Sequence, residues 1–175
     1  DWSETVARLK KDNLLDITIT IGNSFGGDYE AVNIFTALTA AKLLEVDMIV
    51  VGIGPGHVGT GTKLGFSGAE LALYCHAVDL LEGKSILVPR ISFAEKRKRH
   101  RIISHHTIIM LKKLIRQKID VVFPNLDIIK NVVQENNISN HNLFFYDSTE
   151  IKQILIKSNY NFYSMGRSFV DDPFF

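Results

Sequence analysis

An α/β fold of the three-layer, Rossmann-like kind, with a mostly parallel sheet and helices on both faces, is what this sequence predicts. Three observations carry the prediction. Short apolar runs rich in β-branched residues alternate with stretches of helical periodicity from Asp16 to Lys157, the rhythm that favours parallel strands joined by crossover helices. One run, Met48-Ile49-Val50-Val51, is apolar throughout, as a strand covered on both faces requires. Eleven of the twelve glycines lie at or before Gly83. They cluster in loops that follow predicted strands, where such folds bind ligands.

The elements follow in order. Ser3 to Lys11 reads as a short leading helix. Asp16 to Ile21 alternates at period two and predicts a strand. Asp28 to Leu44 places Ala31, Ile34, Phe35, Leu38 and Ala41 on a helical stripe. Ser67 to Leu81 is the next helix. Its opening Ser67-Gly68-Ala69-Glu70 is a capping-box pattern, which makes Glu70 a helix cap before it makes it a catalytic acid. Ser85 to Val88 is a strand and His105 to Gln117 a helix. Ile119 to Phe123 is a strand, Leu126 to Glu135 a helix, Asn142 to Tyr146 a strand and Thr149 to Lys157 a helix, with a last strand around Phe162 to Met165. With 175 residues and neither a repeat nor a linker, one domain spanning residues 1–175 is expected. The opening Asp1-Trp2-Ser3 lacks an initiating methionine, so this segment is expected to be an excised or processed piece.

Composition removes several classes. Apolar residues at 46 % and charged residues at 22 % exclude a disordered tail, a collagen-like rod and a disulfide-stapled miniprotein. A lone cysteine, Cys75, excludes an internal disulfide and a multi-cysteine zinc site. Its apolar neighbours predict a small buried side chain. A net charge of +1 gives no global field toward nucleic acid or an anionic membrane. The longest apolar run, Met48 to Ile53, falls far short of the roughly 20 residues a membrane span needs. A cytoplasmic setting with no membrane partner is therefore expected.

Three segments carry the candidate chemistry. The first is Gly22 to Glu30, where Asn23, Ser24, Gly26 and Gly27 are candidate ligand contacts through backbone and side chain. Asp28 reads equally as a group that orients a metal or histidine and as a helix cap. The second is Gly52 to Lys63. There Gly54, Gly56, His57, Gly59, Thr60 and Gly61 read as a cradle for a phosphate or carboxylate, with a plain structural loop as the alternative. Gly54, Gly56 and Gly59 also satisfy G-x-G-x-x-G, but Arg90 stands where a dinucleotide site has its acidic residue. Thr62-Lys63 reverses the order a nucleotide P-loop needs. Val51 to Gly56 is similar to the opening loop of tetrapyrrole methylases, but here it follows a complete βα unit.

The third segment, Arg90 to Thr107, is the most charged. Arg90, Lys96, Arg97, Lys98, Arg99 and Arg101 are opposed within it only by Glu95. Ser104 is a candidate N-cap that places His105 and His106 in a first helical turn, where the helix dipole favours neutral imidazole. With His100, these histidines are candidates for acid/base work, and Arg90, Arg97, Arg99 and Ser104 for holding an anion. Adjacent histidines diverge by about 100° on a helix, so no metal site is predicted. His76 and His141 read as ordinary structural or surface residues. Nucleic acid ranks low as a partner, because only Phe93 could stack on a base.

Several of these strings together resemble a known family. Gly22-Asn23-Ser24-Phe25-Gly26-Gly27-Asp28-Tyr29-Glu30-Ala31-Val32, the Gly52 to Gly61 loop, Arg99-His100 with Ser104-His105-His106-Thr107, and Met165-Gly166-Arg167 with Asp172-Pro173-Phe174-Phe175 are similar to an uncharacterised bacterial family, the Domain of Unknown Function 3866. The resemblance implies a bacterial protein seen here as the C-terminal part of a longer chain. It brings no activity and no cofactor. Where members of the family usually carry Asp and Gly near the arginine–histidine stretch, this chain has Glu95 and Ile102.

The functional expectation is an enzyme-like domain. Its three loops would converge on one small anionic or phosphorylated metabolite, with His105 or His106 shuttling a proton; the cofactor is left unknown and self-association open. Two alternatives stand beside it. One is a regulatory or scaffold module that docks a partner through the basic segment, with Pro173-Phe174-Phe175 as an apolar tail. The other is a dinucleotide-binding domain.

Overall fold

The computed structural model of the chain describes residues 3–53, 58–93, 95–157, 163–164 and 167–168. Helix α1 (Glu4–Lys11) starts where the Ser3 hydroxyl accepts the Val6 N–H at 3.4 Å. Glu4 lies in its first turn and Arg8, Lys10 and Lys11 in its last, charges that suit the helix dipole.

Strands β1 (Ile19–Ile21) and β2 (Tyr29–Ala31) pair in parallel, with Ile19 opposite Tyr29. Only residues 22–28 join them, where a helical crossover takes about a dozen or more. So tight a return needs positive φ, supplied by Gly22 at 61° and Gly26 at 87°. A Cβ on Gly27 would stand 2.9 Å from the Tyr29 carbonyl oxygen and 3.0 Å from backbone atoms of Thr18 and Thr20. The glycines of the first loop thus serve the chain path.

Helix α2 (Ile34–Leu43) begins at Ile34, not at Asp28 as the apolar stripe predicts. Asn33 and Thr36 form a capping box: Thr36 N–H donates to Asn33 Oδ1 at 3.1 Å, and Asn33 N–H to Thr36 Oγ1 at 3.3 Å. Residues ahead of that cap go into β2, and Asp28 caps no helix.

Met48–Val51 departs further from expectation. Among the described residues it belongs to no sheet, and Met48 is 81 % and Val50 84 % exposed. An apolar run becomes a covered strand only if neighbours pair with it. Here Ile19–Ile21 pairs with Tyr29–Ala31, and Ile86–Leu87 with Asp120–Val121.

A 3₁₀ turn over Ser67–Ala69 leads into helix α3 (Glu70–Leu80). The predicted capping box does not form. The Ser67 hydroxyl instead accepts the Val58 N–H at 3.1 Å, and the Glu70 carboxylate accepts the Tyr74 hydroxyl at 3.0 Å. Cys75 is buried in this helix, as expected, and its burial pushes the thiol pKa up.

After β3 (Ile86–Leu87), strands β4 (Ile91–Ser92) and β5 (Ile102–Ile103) form an antiparallel ribbon, Ile91 opposite Ile103 and Ser92 opposite Ile102. The basic segment is therefore the tip of a hairpin. Ile102 sits at φ 63°, a left-handed conformation that costs an L residue about 1–2 kcal/mol.

Helix α4 (His105–Ile109) widens into a π turn over Met110–Leu114, short of the predicted end at Gln117. His141, buried, donates Nε2–H to the Leu111 carbonyl at 2.8 Å and so satisfies one of the carbonyls at that helix end. Strand β6 (Asp120–Pro124), helix α5 (Asp127–Glu135), strand β7 (Asn142–Tyr146) and helix α6 (Ser148–Lys157) follow, and β8 (Tyr163–Ser164) pairs antiparallel with β9 (Arg167–Ser168). Among the described residues the largest sheet is parallel, in the order β3-β6-β7.

Phe123, Leu111, Ile129 and Val121 are the most deeply buried large side chains and centre the main core. A smaller cluster of Ile34, Leu38 and Ala77 joins α2 to α3. The fold is mixed α/β, with small and mostly parallel sheets. No described helix is long and apolar enough to cross a membrane.

Candidate functional site

The antiparallel ribbon β4–β5 decides where the basic segment goes. Its tip folds back through a 3₁₀ turn at Lys98–His100, and Ser104 then caps α4 by accepting the His106 N–H at 3.3 Å. The turn and the cap bring His100, His105 and His106 together. Ring centroids lie 4.8 Å apart for His100–His105, 5.0 Å for His100–His106 and 4.1 Å for His105–His106. Adjacent histidines were expected to diverge. They converge because His105 turns its ring back onto the preceding turn, where its Nδ1 lies 3.0 Å from the Arg99 carbonyl oxygen.

Hydrogen bonding fixes which nitrogens carry protons. A carbonyl oxygen only accepts, so His105 Nδ1 is the donor, which leaves Nε2 of a neutral ring with its lone pair. Arg99 Nε donates to His100 Nε2 at 3.2 Å, so His100 carries its proton on Nδ1 and gives it to Ser104 Oγ at 2.8 Å. Partial burial, followed by the charges of Arg97, His105 and Arg99, lowers the His100 pKa against the opposing pull of Glu95. This shift favours the neutral imidazole.

Phe66 completes the cluster. Its ring stacks on His106 at 4.1 Å and 5° between planes, while the rest of it belongs to the main core. Gly59, bridged to Phe66 in antiparallel fashion, lies over the same imidazole, and a Cβ there would be 3.7 Å from His106 Cε1. The second and third candidate segments therefore meet. Sequence reasoning missed Phe66, because no periodicity separates an aromatic that faces an imidazole from one that only fills the core.

The other candidate residues are placed as follows. Asp28 accepts from Lys10 Nζ, from the Thr18 N–H at 2.8 Å and from the Thr18 hydroxyl at 2.9 Å, bonds that hold its pKa well below the usual carboxylate range. Gly26 N–H donates to Glu30 Oε1 at 3.1 Å, Gly27 N–H to Thr20 Oγ1 at 3.4 Å and Ser24 N–H to the Ile21 carbonyl at 3.1 Å. Asn23 is exposed. These bonds tie the first loop to Lys10, Thr18, Thr20, Ile21 and Glu30.

In the second loop Thr60 N–H donates to the Gly65 carbonyl at 2.7 Å, Thr62 N–H donates to Thr60 Oγ1 at 3.2 Å, and Gly61 is exposed. Gly54, Gly56 and His57 lie outside the described residues, as do Met165, Gly166 and the Pro173-Phe174-Phe175 tail. Arg97 is held by Glu95 through two parallel bonds of 3.0 Å, which hold the Glu95 pKa down to about 2. Arg97 is thus already paired with an anion of its own. Arg90, Arg99 and Arg101 are exposed. A separate hollow of about 220 Å³ opens at the start of β6 and β7, lined by Lys84, Gln117, Asp120 and Asn142 among others. It contains none of the candidate residues.

The chain belongs to a family described as Protein of unknown function (DUF3866), whose model matches residues 1–175. No curated protein and no solved structure matches it.

Proposed function

We propose that this member of the DUF3866 family is an enzyme-like domain that binds a small anionic, phosphorylated metabolite where the residue 58–66 loop meets the three histidines. The observation that carries this reading is the stacking of Phe66 on His106, which anchors a glycine-containing loop to a cluster of imidazoles. Two sources of polar contact then face one place. The loop offers backbone, and the hairpin offers imidazole nitrogens with the Arg99 guanidinium beside them. Arg97, clamped by Glu95, serves as scaffold for the hairpin tip. Asp28 and the first loop hold the N-terminal ribbon together.

A thermal-shift series with inorganic phosphate, sugar phosphates, nucleotides, NAD and NADP tests the reading. A ligand at a hundred times its Kd adds about 2.7 kcal/mol, which for a chain of this size raises Tm by about 5–11 °C. The rise is expected with a phosphorylated compound and is expected to disappear in Arg99→Ala. No rise with any of these compounds, or an undiminished rise in Arg99→Ala, refutes it. A rise with NAD or NADP alone favours a dinucleotide site.

The exposure of Lys96, Lys98 and Arg101 at the hairpin tip favours a second reading, a module that docks an acidic partner. Binding of a poly-glutamate peptide that falls steeply with added salt supports that reading.

A further inference from the structure

The reading above leaves open what the three imidazoles contribute. We infer that His100, His105 and His106 bind one divalent transition-metal ion, with a further coordination position open to water or to the anion. The inference deepens the proposed function and rests on it only for the anion.

Each histidine offers a nitrogen that lies within 4.8 Å of the other two. A zinc–nitrogen bond of about 2.0–2.1 Å at tetrahedral angles sets ligand nitrogens about 3.3 Å apart. The pairs need to close by no more than about 1.5 Å, within reach of side-chain torsions in half-exposed rings. The outer partners a metal-binding histidine needs are in place. The Arg99 carbonyl takes the Nδ1 proton of His105 and the Ser104 hydroxyl that of His100, which leaves the lone pair of each ring on Nε2. The His106 ring is fixed by its stack on Phe66. The His100 lone pair is met by the Arg99 guanidinium at 3.2 Å, a cationic donor at the position a metal cation would take. Metal entry would release that guanidinium toward the open position and its anion.

Three imidazoles suit Zn²⁺, Co²⁺, Ni²⁺ or Cu²⁺ and not Ca²⁺ or Mg²⁺, which take oxygen ligands. Three protein ligands with one position free is the pattern of a catalytic centre, whereas structural zinc has four.

The test strips the chain with a chelator and titrates Co²⁺, followed by calorimetry and by the visible ligand-field band of the bound ion. One Co²⁺ per chain is expected. His105→Ala and His105→Gln should each lose on the order of a hundredfold in affinity, while His76→Ala, on the exposed side of α3, binds as the wild type does. Circular dichroism of each variant verifies folding, and the glutamine variant keeps most of the volume. Failure of the stripped wild type to bind Co²⁺, or unchanged binding in both His105 variants, overturns the inference.

Inorganic phosphate is then titrated into the stripped and the Co²⁺-loaded chain. Phosphate bound by the loaded chain alone supports the metal site and the anion reading together. Co²⁺ bound without phosphate in either form upholds the metal and removes the anion reading. Phosphate bound by a chain that takes up no Co²⁺ overturns the metal and leaves the anion reading standing.

Discussion

Truncating Phe123 tests how the central sheet is covered. Phe123 is 1 % exposed on β6, and its ring lies 5.8 Å from that of Phe145 on β7. Their neighbour Phe144, on the opposite face of β7, is 39 % exposed and, among the described residues, stacks on Tyr146, itself 57 % exposed. Phe123→Ala removes a buried ring and leaves a cavity, at a cost of about 3–5 kcal/mol. For a 175-residue chain each kcal/mol moves Tm by about 2–4 °C, so a fall of about 6–20 °C is expected. Phe144→Ala should cost about 1 kcal/mol or less, a fall of about 4 °C at most. Thermal and urea unfolding followed by circular dichroism measure both. Equal falls would refute one-sided burial and mean that a second layer covers the Phe144 face, as the three-layer expectation required.

Other predictions can be checked in the same unfolding assay. Gly27→Ala drives a Cβ against three backbone atoms at 2.9–3.0 Å and should destabilise by more than about 1 kcal/mol, while Gly59→Ala, with its nearest atom at 3.7 Å, should leave stability unchanged. Ser104→Ala removes the cap of α4 and the acceptor for His100 Nδ1–H, and should cost about 1 kcal/mol. The Asp120 carboxyl is held below its ordinary 3.8 by Lys84 and then Asn142. A lowered folded pKa stabilises above the unfolded value and loses that contribution as pH falls through the folded one. Asp120→Asn should therefore flatten the acid limb of Tm against pH and converge with wild type once the pH has fallen below the folded pKa of Asp120. Cys75, buried and with its thiol pKa raised, should resist a disulfide reagent until the chain unfolds.

Local signals were legible in the sequence wherever one segment decides its own structure. The strand at Asn142–Tyr146 and the helices at Glu4–Lys11, Glu70–Leu80 and Asp127–Glu135 follow from periodicity and composition, and the structure keeps them to within a few residues. The Ser104 cap was legible for the same reason, being set by residues within one turn. Membership of the family was legible too: the resemblance read from strings such as Arg99-His100 with Ser104 to Thr107 agrees with the family match over residues 1–175.

Pairing was not legible, because it depends on competition among distant segments. Met48–Val51 has the composition of a covered strand, yet β1 pairs with a strand across a loop of seven residues and leaves that run exposed. Only tertiary structure turned two adjacent histidines toward a third, since backbone spacing alone sends their side chains apart. It also set Phe66 against His106. The sequence determined which residues could do chemistry; folding the hairpin, through contacts made across space, determined which of them meet.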